Sequence, residues 1–366
     1  MVCPLPGQSS PVTSVPSPHS DHSEDLPLLV GVDAGGTTTR AVVATSTGER
    51  LGQFRAGGAN PNSHGPEKAS TQLSEAVAGA LGRAGSGAGA AVTACVVGLA
   101  GVSGLRDQRV RTLMHAALVH AGVAVEAVFT GDDEVAFASG TPAPNGTVLI
   151  AGTGAIATRV EGRARTRTAD GMGWLLGDAG SAFWIGRRAA EETVRQISRG
   201  GELGPLARTV TLRVFPNGPP LEEAAGRPDE YARALARELT AAPPIALAEL
   251  APLVGRAHEE GDPAAEEIVL TAAEHLARSV HGVRDPGERS PVVLTGGVLS
   301  GPTPVRAELV RRLASGPAGT EVVPAGCTAG GAAWLAALRA GVDESDRALH
   351  STFTLTGAPD RTGSLG

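Results

Sequence analysis

The chain has 366 residues, 42% of them apolar and 19% charged, a globular composition whose length predicts two domains rather than one core. The formal net charge is −7 and Lys and Arg do not cluster, which argues against a nucleic-acid partner. The three cysteines form no CxxC pair and no apolar run reaches the roughly 18 residues of a membrane span. A disulfide framework, a structural zinc site and a membrane segment are therefore not expected.

The two ends of the chain differ in composition from its centre. Residues 1–27 are rich in Pro, Ser and His, and they lack the basic-then-apolar order of a signal peptide. We predict a disordered tail over 1–27, a loose C-terminal tail over 342–366 and a cytoplasmic location.

Strand-like and helix-like segments alternate from residue 28 onward. The first predicted domain, residues 28–144, opens with three short strands, VGVDAG, RAVVAT and RLGQFRA. It continues with a helix over 66–84, the strand AVTACVVGLAG, a helix over 105–121, the strand VEAVFTG and the short acidic helix DDEVAFASG.

The second predicted domain, residues 145–341, repeats this order. Its three opening strands are GTVLIAGTG, AIATRVEG and RARTRTADG, and a long helical region follows from 178 to about 285. The strand PVVLTGG, the helix TPVRAELVRRLAS, the strand TEVVPAG and the helix TAGGAAWLAALRAG come last. Two copies of one plan predict a ligand site in the cleft between them.

Glycine- and threonine-rich bends follow the first strand of each copy. In DAGGTTT, glycines allow backbone N–H groups to turn toward an anion and hydroxyls add donors, so we predict phosphate contacts. These candidates are Gly35, Gly36, Thr37, Thr38 and Thr39 in the first bend, with Gly152 and Thr153 in the second. Asp33 is predicted to hold Mg²⁺ through water. The alternative is that these are ordinary turns between strands.

A third glycine pair, Gly296 and Gly297 in VVLTGGVLSG, follows a predicted strand near the end of the second domain. Backbone without side chains admits a flat base, so the pair is a candidate nucleoside contact, with a simple strand-to-loop turn as the alternative. Neither GxxxxGK[ST] nor a GxGxxG between strand and helix is present, so a P-loop and a dinucleotide fingerprint are not expected.

Three of these motifs, DAGGTTTR, IAGTG and LTGG, resemble the ATPase domain of the actin, Hsp70 and hexokinase superfamily. The segment GWLLGDAGSAFWIGRRA, residues 173–189, looks like the GWGxxxGDEGSAxWI segment of the N-acetylglucosamine kinase group, the BadF/BadG/BcrA/BcrD-type ATPases. The resemblance implies an α/β, two-domain ribonuclease-H-like fold of the actin/hexokinase type, in which each domain is a mixed sheet flanked by helices. It also implies the cofactors ATP and Mg²⁺, and it suggests a homodimer.

The activity that the resemblance implies is phosphorylation of an amino sugar, with N-acetylglucosamine as substrate and O6 as acceptor. Glucosamine and N-acetylmuramic acid are the alternative sugars. Two other function classes stay open, an ATPase activator of a radical dehydratase and a non-catalytic sugar or ATP sensor. The activator needs two cysteines in glycine-rich contexts, and here Cys327 is the one that has such a context.

The resemblance implies that Asp132 is the catalytic base. Counting back from the Thr-Pro at 141–142 selects Asp132 over Asp133, although either carboxylate could instead cap the helix that follows.

The sugar contacts implied by the resemblance are Asn60, Thr153, Gly154 and Asp178. Asn60 has a turn role before a proline as its alternative, and Asp178 has an N-cap role. Trp174 is a candidate for stacking on a sugar face, and its alternative role is packing in the core. Ser103 is a candidate for lining the sugar pocket, and its alternative is a solvated position in a loop. Ala179 departs from the Glu that is usual in the family.

Overall fold

The computed structural model describes residues 27–216, 227–315 and 320–355, and within them ten strands form two five-stranded sheets. The strand order of the first sheet is β3-β2-β1-β4-β5. Its strands are β1 (Leu28–Ala34), β2 (Thr38–Thr45), β3 (Arg50–Gly57), β4 (Val92–Leu99) and β5 (Ala127–Gly131). β1, β4 and β5 run parallel and end at one edge, whereas β2 is antiparallel to β1 and β3.

The second sheet repeats this plan, with the order β10-β9-β6-β7-β8. Its strands are β6 (Gly146–Ala151), β7 (Ala155–Glu161), β8 (Ala164–Asp170), β9 (Val292–Thr295) and β10 (Val322–Pro324). β6, β9 and β10 are parallel and β7 is antiparallel to its neighbours. The predicted duplication of one strand order is therefore confirmed.

Helices flank both sheets of the described chain. Those that follow β3, β4 and β5 are α1 (Pro61–His64), α2 (Pro66–Ala84), α3 (Gln108–His120) and α4 (Asp132–Gly140). Those of the second half are α5 (Ala182–Arg199), α6 (Pro205–Val214), α7 (Pro228–Ala241), α8 (Ala251–Glu259), α9 (Pro263–Val283), α10 (Pro304–Ala314), α11 (Thr328–Arg339) and α12 (Arg347–Thr354). Proline opens several of them, at the position where a missing N–H costs nothing.

α11 packs on the first sheet although it follows the second in sequence. Its buried alanines and the fully buried Trp334 contact Leu29, Val42 and Val96 of that sheet and Val135 of α4. A Cβ at Gly31 of β1 would lie 2.2 Å from the backbone nitrogen of Ala333, so glycine permits this close approach of helix and strand. The end of the chain thus completes the core of the first domain.

The prediction of a loose segment after residue 341 is wrong for α12. Phe353 is 2% exposed, and the imidazole Nε2 of His350 lies 2.8 Å from the carbonyl oxygen of Ala138 in α4. Eight residues have little intrinsic tendency to form a helix, and this one is stabilised by its contacts with α11 and α4. The predicted tail over 1–27 lies outside the described residues apart from residue 27, as do residues 356–366 of the C-terminal tail.

Candidate active site

Two acidic side chains lie at the carboxyl edge of the first sheet. Asp33 is the penultimate residue of β1, and Asp132 directly follows β5. The strand register pairs Asp33 with Gly98 and Leu99 with Gly131, so β1 and β5 end at nearly the same level on either side of β4. The fold therefore brings the predicted metal-side carboxylate and the predicted base to one edge.

Asp132 is half-buried at the first turn of α4, and its pKa is raised to about 6. Burial is the largest cause, followed by repulsion from the carboxylates of Asp133 and Asp33. Within the described residues no side chain donates a hydrogen bond to Asp132. The backbone N–H groups of Asp132 and Asp133 bond to this carboxylate and lower its pKa in part, so it is free of side-chain donors but not of backbone donors.

Asp133 has a different environment. It is 2% exposed, the hydroxyl group of Thr158 donates to its carboxylate at 2.9 Å, and a guanidinium nitrogen of Arg165 lies at 3.3 Å. The backbone N–H of Glu134 donates to the same carboxylate at 3.1 Å. Because its oxygen atoms are occupied, Asp133 is less suited than Asp132 to accept a proton from a substrate.

The start of α4 joins the two sheets. The carboxylate of Glu134 accepts hydrogen bonds of 2.7 Å from the backbone N–H groups of Gly131, the N-cap residue, and of Arg165 in β8. Glu134 thus completes a capping box, while the Asp132 carboxylate also accepts backbone N–H groups of the first turn, so the capping alternative for Asp132 stays open. The helix that carries Asp132 is thereby held against the β7–β8 hairpin of the second sheet.

Asp33 accepts a hydrogen bond from the hydroxyl group of Thr328 at the start of α11. Burial raises its pKa, while that hydrogen bond and the charge of Arg40 lower it. Carboxylate oxygens near each other and poor in water are donors that a hard divalent cation prefers. Asp33 therefore offers carboxylate oxygen atoms of the kind that Mg²⁺ prefers, and Mg²⁺ bound there through water stays a prediction.

The first glycine–threonine bend is a tight connection between β1 and β2. Gly36 and Thr37 are exposed at its tip, where they are accessible to an anion. The N–H of Gly35 donates to the carbonyl oxygen of Thr38 at 3.0 Å and closes the bend, so it is not free for a ligand.

The two later threonines of this bend belong to β2. The hydroxyl group of Thr38 accepts a hydrogen bond from Arg55 at 3.1 Å. Thr39 is 0% exposed, and its hydroxyl group donates to the carbonyl oxygen of Gly57 at 2.7 Å. This corrects the prediction for Thr39, because a buried and occupied hydroxyl group supports the hairpin and does not meet a phosphate.

The second bend, between β6 and β7, rests on the start of α5. Gly152 donates to the carbonyl oxygen of Gly154 at 2.9 Å and accepts from the N–H of Ala182 at 2.8 Å. The carbonyl oxygen of Thr153 accepts from Phe183 at 3.3 Å, and its side chain is exposed. These bonds leave the Thr153 hydroxyl group free to meet a ligand.

Asp178 lies against this second bend. A Cβ at Gly154 would be 2.8 Å from a carboxylate oxygen of Asp178, which is 8% exposed. Asp178 has a φ of 57°, and its N–H and that of Ala179 donate to the carboxylate of Asp170 at 2.5 and 2.9 Å. Burial raises the pKa of Asp178. The fold thus joins two of the predicted sugar contacts.

The N-cap of α5 is Ser181, whose hydroxyl oxygen accepts the N–H of Trp184 at 3.2 Å. The N-cap role considered for Asp178 is therefore ruled out. Asp170 was missed by sequence reasoning, because an aspartate at a strand end has no signature that reveals a bond to a loop eight residues later.

Asn60 and Ser103 occupy neighbouring loops above the first sheet. The side-chain oxygen of Asn60 accepts the N–H of Asn62 at 2.9 Å and caps α1. A Cβ at Gly101 would lie 2.5 Å from that oxygen, so the loop after β4 touches Asn60. Ser103 is exposed in this loop. Asn60 therefore has the turn role that was its alternative. Its half-buried side chain also adjoins the predicted sugar region.

Trp174 lies on the surface rather than in the core. It is 39% exposed, and its ring packs edge-on against Phe183 with centroids 5.4 Å apart. Leu175 and Leu176, which follow it, are 72% and 83% exposed. The core-packing alternative for Trp174 is thus wrong, and its role toward a sugar stays a prediction.

Gly296 and Gly297 follow β9 beside the second bend. Gly296 has a φ of 94°, and a Cβ there would lie 2.3 Å from the carbonyl oxygen of Ala151, which also accepts the N–H of Val298 at 2.9 Å. Gly297 and Val298 line a largely apolar cavity of about 430 Å³ between α5, α8 and the start of α10. Such a cavity suits a flat nucleobase.

The predicted residues therefore form two groups. Asp33, Asp132 and the first bend lie at the edge of the first sheet, and Asn60 and Ser103 lie in loops at that sheet. The second group, at the edge of the second sheet, consists of the bend at 151–154, Asp178 and the Gly296–Gly297 turn. α4 connects the two edges through Asp133 and Thr158. That the two bends clasp one phosphate chain stays a prediction.

The raised pKa of Asp132 predicts a pH dependence. A base must be ionised, so we expect kcat/KM to fall at acid pH with an apparent pKa of about 6. Asp133→Asn removes a charge that repels the Asp132 carboxylate, so the acid side of the pH profile should move to lower pH. Asp229→Asn, an exposed aspartate on α7, is the matched control and should leave it in place. A pH profile of kcat/KM for the three proteins measures this, and an unmoved acid side of the profile in Asp133→Asn would contradict the assignment.

Within the described residues no helix is long and apolar enough to cross a bilayer.

Two solved structures share the fold of this chain. A candidate N-acetylglucosamine kinase from Chromobacterium violaceum superposes with a TM-score of 0.62 at 24% identity, covering 85% of this chain and 99% of that one. A second such candidate, from Porphyromonas gingivalis, gives a TM-score of 0.56 at 21% identity over 81% and 95% of the two chains. The predicted α/β fold, with two mixed sheets flanked by helices, is thus confirmed.

Two characterised relatives are similar in sequence. An N-acetylmuramic acid/N-acetylglucosamine kinase of Clostridium acetobutylicum is 27% identical over 48% of this chain and 56% of its own length. An N-acetyl-D-glucosamine kinase of Dictyostelium discoideum is 25% identical over 74% of this chain and 85% of its own length. The sequence model of the BadF/BadG/BcrA/BcrD ATPase family matches residues 30–336, which is most of the chain. The chain is therefore a member of the BadF/BadG/BcrA/BcrD ATPase family.

Proposed function

We propose that this protein is an ATP- and Mg²⁺-dependent amino-sugar kinase that phosphorylates N-acetylglucosamine or a close relative at O6. The observation that carries the proposal is Asp132, a half-buried carboxylate with no side-chain partner among the described residues, at the same sheet edge as Asp33. Family membership supports the use of ATP, and the names of the two relatives support the amino sugar.

In the proposed reaction Asp132 accepts the proton of the sugar hydroxyl group as that oxygen attacks the γ-phosphate. General-base assistance of this kind typically contributes about 10²–10⁴-fold. Asp33 would hold Mg²⁺, which would supply positive charge to the phosphates. The exposed donors of the two bends, around Gly36, Thr37 and Thr153, position the phosphate chain.

The apolar cavity beside Gly297 is the proposed adenosine site. It adjoins the second bend through the bonds that Ala151 makes with the Gly296 turn. A nucleoside there would direct its phosphates toward 151–154 and the edge that carries Asp132. Asp178 lies against Gly154, and its backbone is held by Asp170. Its carboxylate is the proposed acceptor for a sugar hydroxyl group.

The choice of sugar is tested by a coupled ADP-release screen over glucose, glucosamine, N-acetylglucosamine and N-acetylmuramic acid with Mg²⁺-ATP. We expect N-acetylglucosamine to give the highest kcat/KM, and the position of the new phosphate is then read by NMR of the product. N-acetylmuramic acid is a proposed second substrate, in keeping with the name of the Clostridium enzyme. ADP release that no sugar stimulates would overturn the proposal.

The dehydratase-activator alternative has little support in the cysteine positions. Cys95 is buried within β4, and burial raises the pKa of its thiol to about 12. A cluster ligand must be a thiolate, which this site disfavours. Cys327 is partly exposed at the N-cap of α11, and Cys3 lies outside the described residues. The homodimer suggested by the resemblance stays a prediction, which light scattering would test.

A further inference from the structure

A second large cavity lies away from the proposed adenosine site and is lined by arginines. It measures about 510 Å³ and is bounded by β2, β3, the end of α2 and the start of α11. Arg40, Arg55 and Arg83 line it, together with Cys327 and Ala329. We call it the arginine cavity.

None of the three arginines forms an ion pair with a described carboxylate. Arg55 donates to the Thr38 hydroxyl group at 3.1 Å, and Arg83 donates to the carbonyl oxygen of Gln53 at 2.9 Å and lies over the Phe54 ring. All three arginines are exposed. The side chains that pair with acidic residues include those of Arg159, Arg187, Arg278 and Arg311.

The strand register places Arg40 between one like charge and one opposite charge, because its partner on β3 is Arg55 and its partner on β1 is Asp33, which offsets part of the repulsion. Arg40 of β2 and Arg55 of β3 are direct register partners, so their side chains stand on one face of the sheet side by side. Like charges in that position repel each other and lower stability. Arg83 approaches from the α2 side of this edge strand, where its guanidinium group lies over the Phe54 ring, and it adds a third positive charge at the rim of the cavity. A ligand with two negative charges would relieve this repulsion.

We propose that the arginine cavity binds a phosphate dianion, either free or carried on a small phosphorylated molecule, as a site separate from the nucleotide site. Guanidinium groups present paired N–H donors that match phosphate oxygens, and several of them around one cavity favour a dianion over chloride. Arg40 of the cavity is the register partner of Asp33, so the cavity adjoins the proposed metal side of the active site.

Calorimetric titration at constant ionic strength tests the proposal, with inorganic phosphate and N-acetylglucosamine 6-phosphate as separate probes. Each titration is repeated with the nucleotide site saturated by a non-hydrolysable Mg²⁺-ATP analogue. We expect saturable binding that survives the analogue, and the tighter probe identifies whether the source is free phosphate or a phosphosugar. Arg55→Gln and Arg83→Gln should each weaken binding by roughly tenfold or more, since each removes a charge-assisted hydrogen bond.

Arg237→Gln is the matched control, because Arg237 is exposed on α7 and does not line the cavity. It should bind as the wild type does. Unchanged affinity in both cavity variants overturns the proposal. Loss of phosphate binding in the presence of the analogue overturns it as well, because the anion would then occupy the nucleotide's own phosphate site. The titration needs no turnover, so its outcome is independent of whether an amino sugar is phosphorylated.

The melting temperature without ligand gives a second measurement. Arg55→Gln removes one member of the repelling pair on an exposed edge strand, so the variant should melt no lower than the wild type. Addition of phosphate should then raise the melting temperature of the wild type more than that of the variant. Equal shifts in the two proteins would count against the cavity.

Discussion

Replacing Asp132 with Asn is expected to lower kcat/KM on the best amino sugar by at least roughly 100-fold, the low end for loss of a general base. Asn is nearly the same size as Asp but cannot accept the proton of the attacking hydroxyl group. The binding of Mg²⁺-ATP should change much less, because the proposed nucleotide contacts lie at the second bend and at Gly297. Steady-state kinetics with the coupled ADP assay, together with nucleotide titration, measures both quantities.

The same variant should be more stable than the wild type at neutral pH. A carboxyl group whose pKa is raised to about 6 in the folded protein destabilises the fold when it is ionised. The cost is full above that pH and disappears below the ordinary pKa of the group. Asp132→Asn should therefore raise the free energy of unfolding at pH 8, by up to about 3 kcal/mol, and the gain should shrink toward pH 4.

These two readouts separate a catalytic role from a structural one. Loss of activity together with unchanged or higher stability supports Asp132 as the base. Near-normal turnover in Asp132→Asn would contradict the assignment of Asp132 as the general base. Asp133→Asn, assayed in the same way, would then show whether Asp133 is the base instead.

Replacing Trp334 with Ala is expected to lower the free energy of unfolding by about 3–5 kcal/mol, the usual range for truncating a buried aromatic side chain. Trp334 is 0% exposed in α11 and packs against the rings of His350 and Phe353 of α12. Its loss leaves a cavity where α11, α12 and the first sheet meet. Urea denaturation followed by circular dichroism measures the change.

Trp174→Ala is the matched control for this substitution. The same indole is removed there from a surface segment, where it is 39% exposed, so the effect on unfolding should stay within about 1 kcal/mol. If the two variants lost equal stability, the contribution of α11 to the core of the first domain would be smaller than its burial indicates.

Local sequence was sufficient for most elements of the fold. α2 begins at Pro66 and ends at Ala84, as predicted, because a proline opens it and its buried residues recur at helical spacing from Ala69 to Leu81. The buried central strands of both sheets followed from short apolar runs, whereas β8 is polar and mostly exposed and was predicted from its place after two strands and turns. These signals act within a few residues, so a single chain displays them without knowledge of its fold.

The tertiary structure decided what depends on residues far apart in the chain. It placed α11 and α12 on the first sheet, which no local pattern indicates, since a short helix is stabilised by its contacts and not by its own propensity. It also buried Thr39 of β2, whose hydroxyl group donates to the backbone of β3, although the sequence of the first bend predicts that this hydroxyl group meets a phosphate.

For the site, the sequence by itself determined which residue types are present and in what order. The bend after the first strand indicated Asp33, and the resemblance of the motifs implied Asp132 and Asp178. The sequence selected Asp132 over Asp133 by its spacing from Thr141 and Pro142, and the tertiary structure adds that Thr158 and Arg165, on the second sheet, occupy the carboxylate of Asp133. The structure also showed that Asp170 holds the backbone of Asp178 and that three arginines surround one cavity. The physical reason is that burial, charge repulsion and hydrogen-bond occupancy are properties of neighbours in space, which the order of residues does not record.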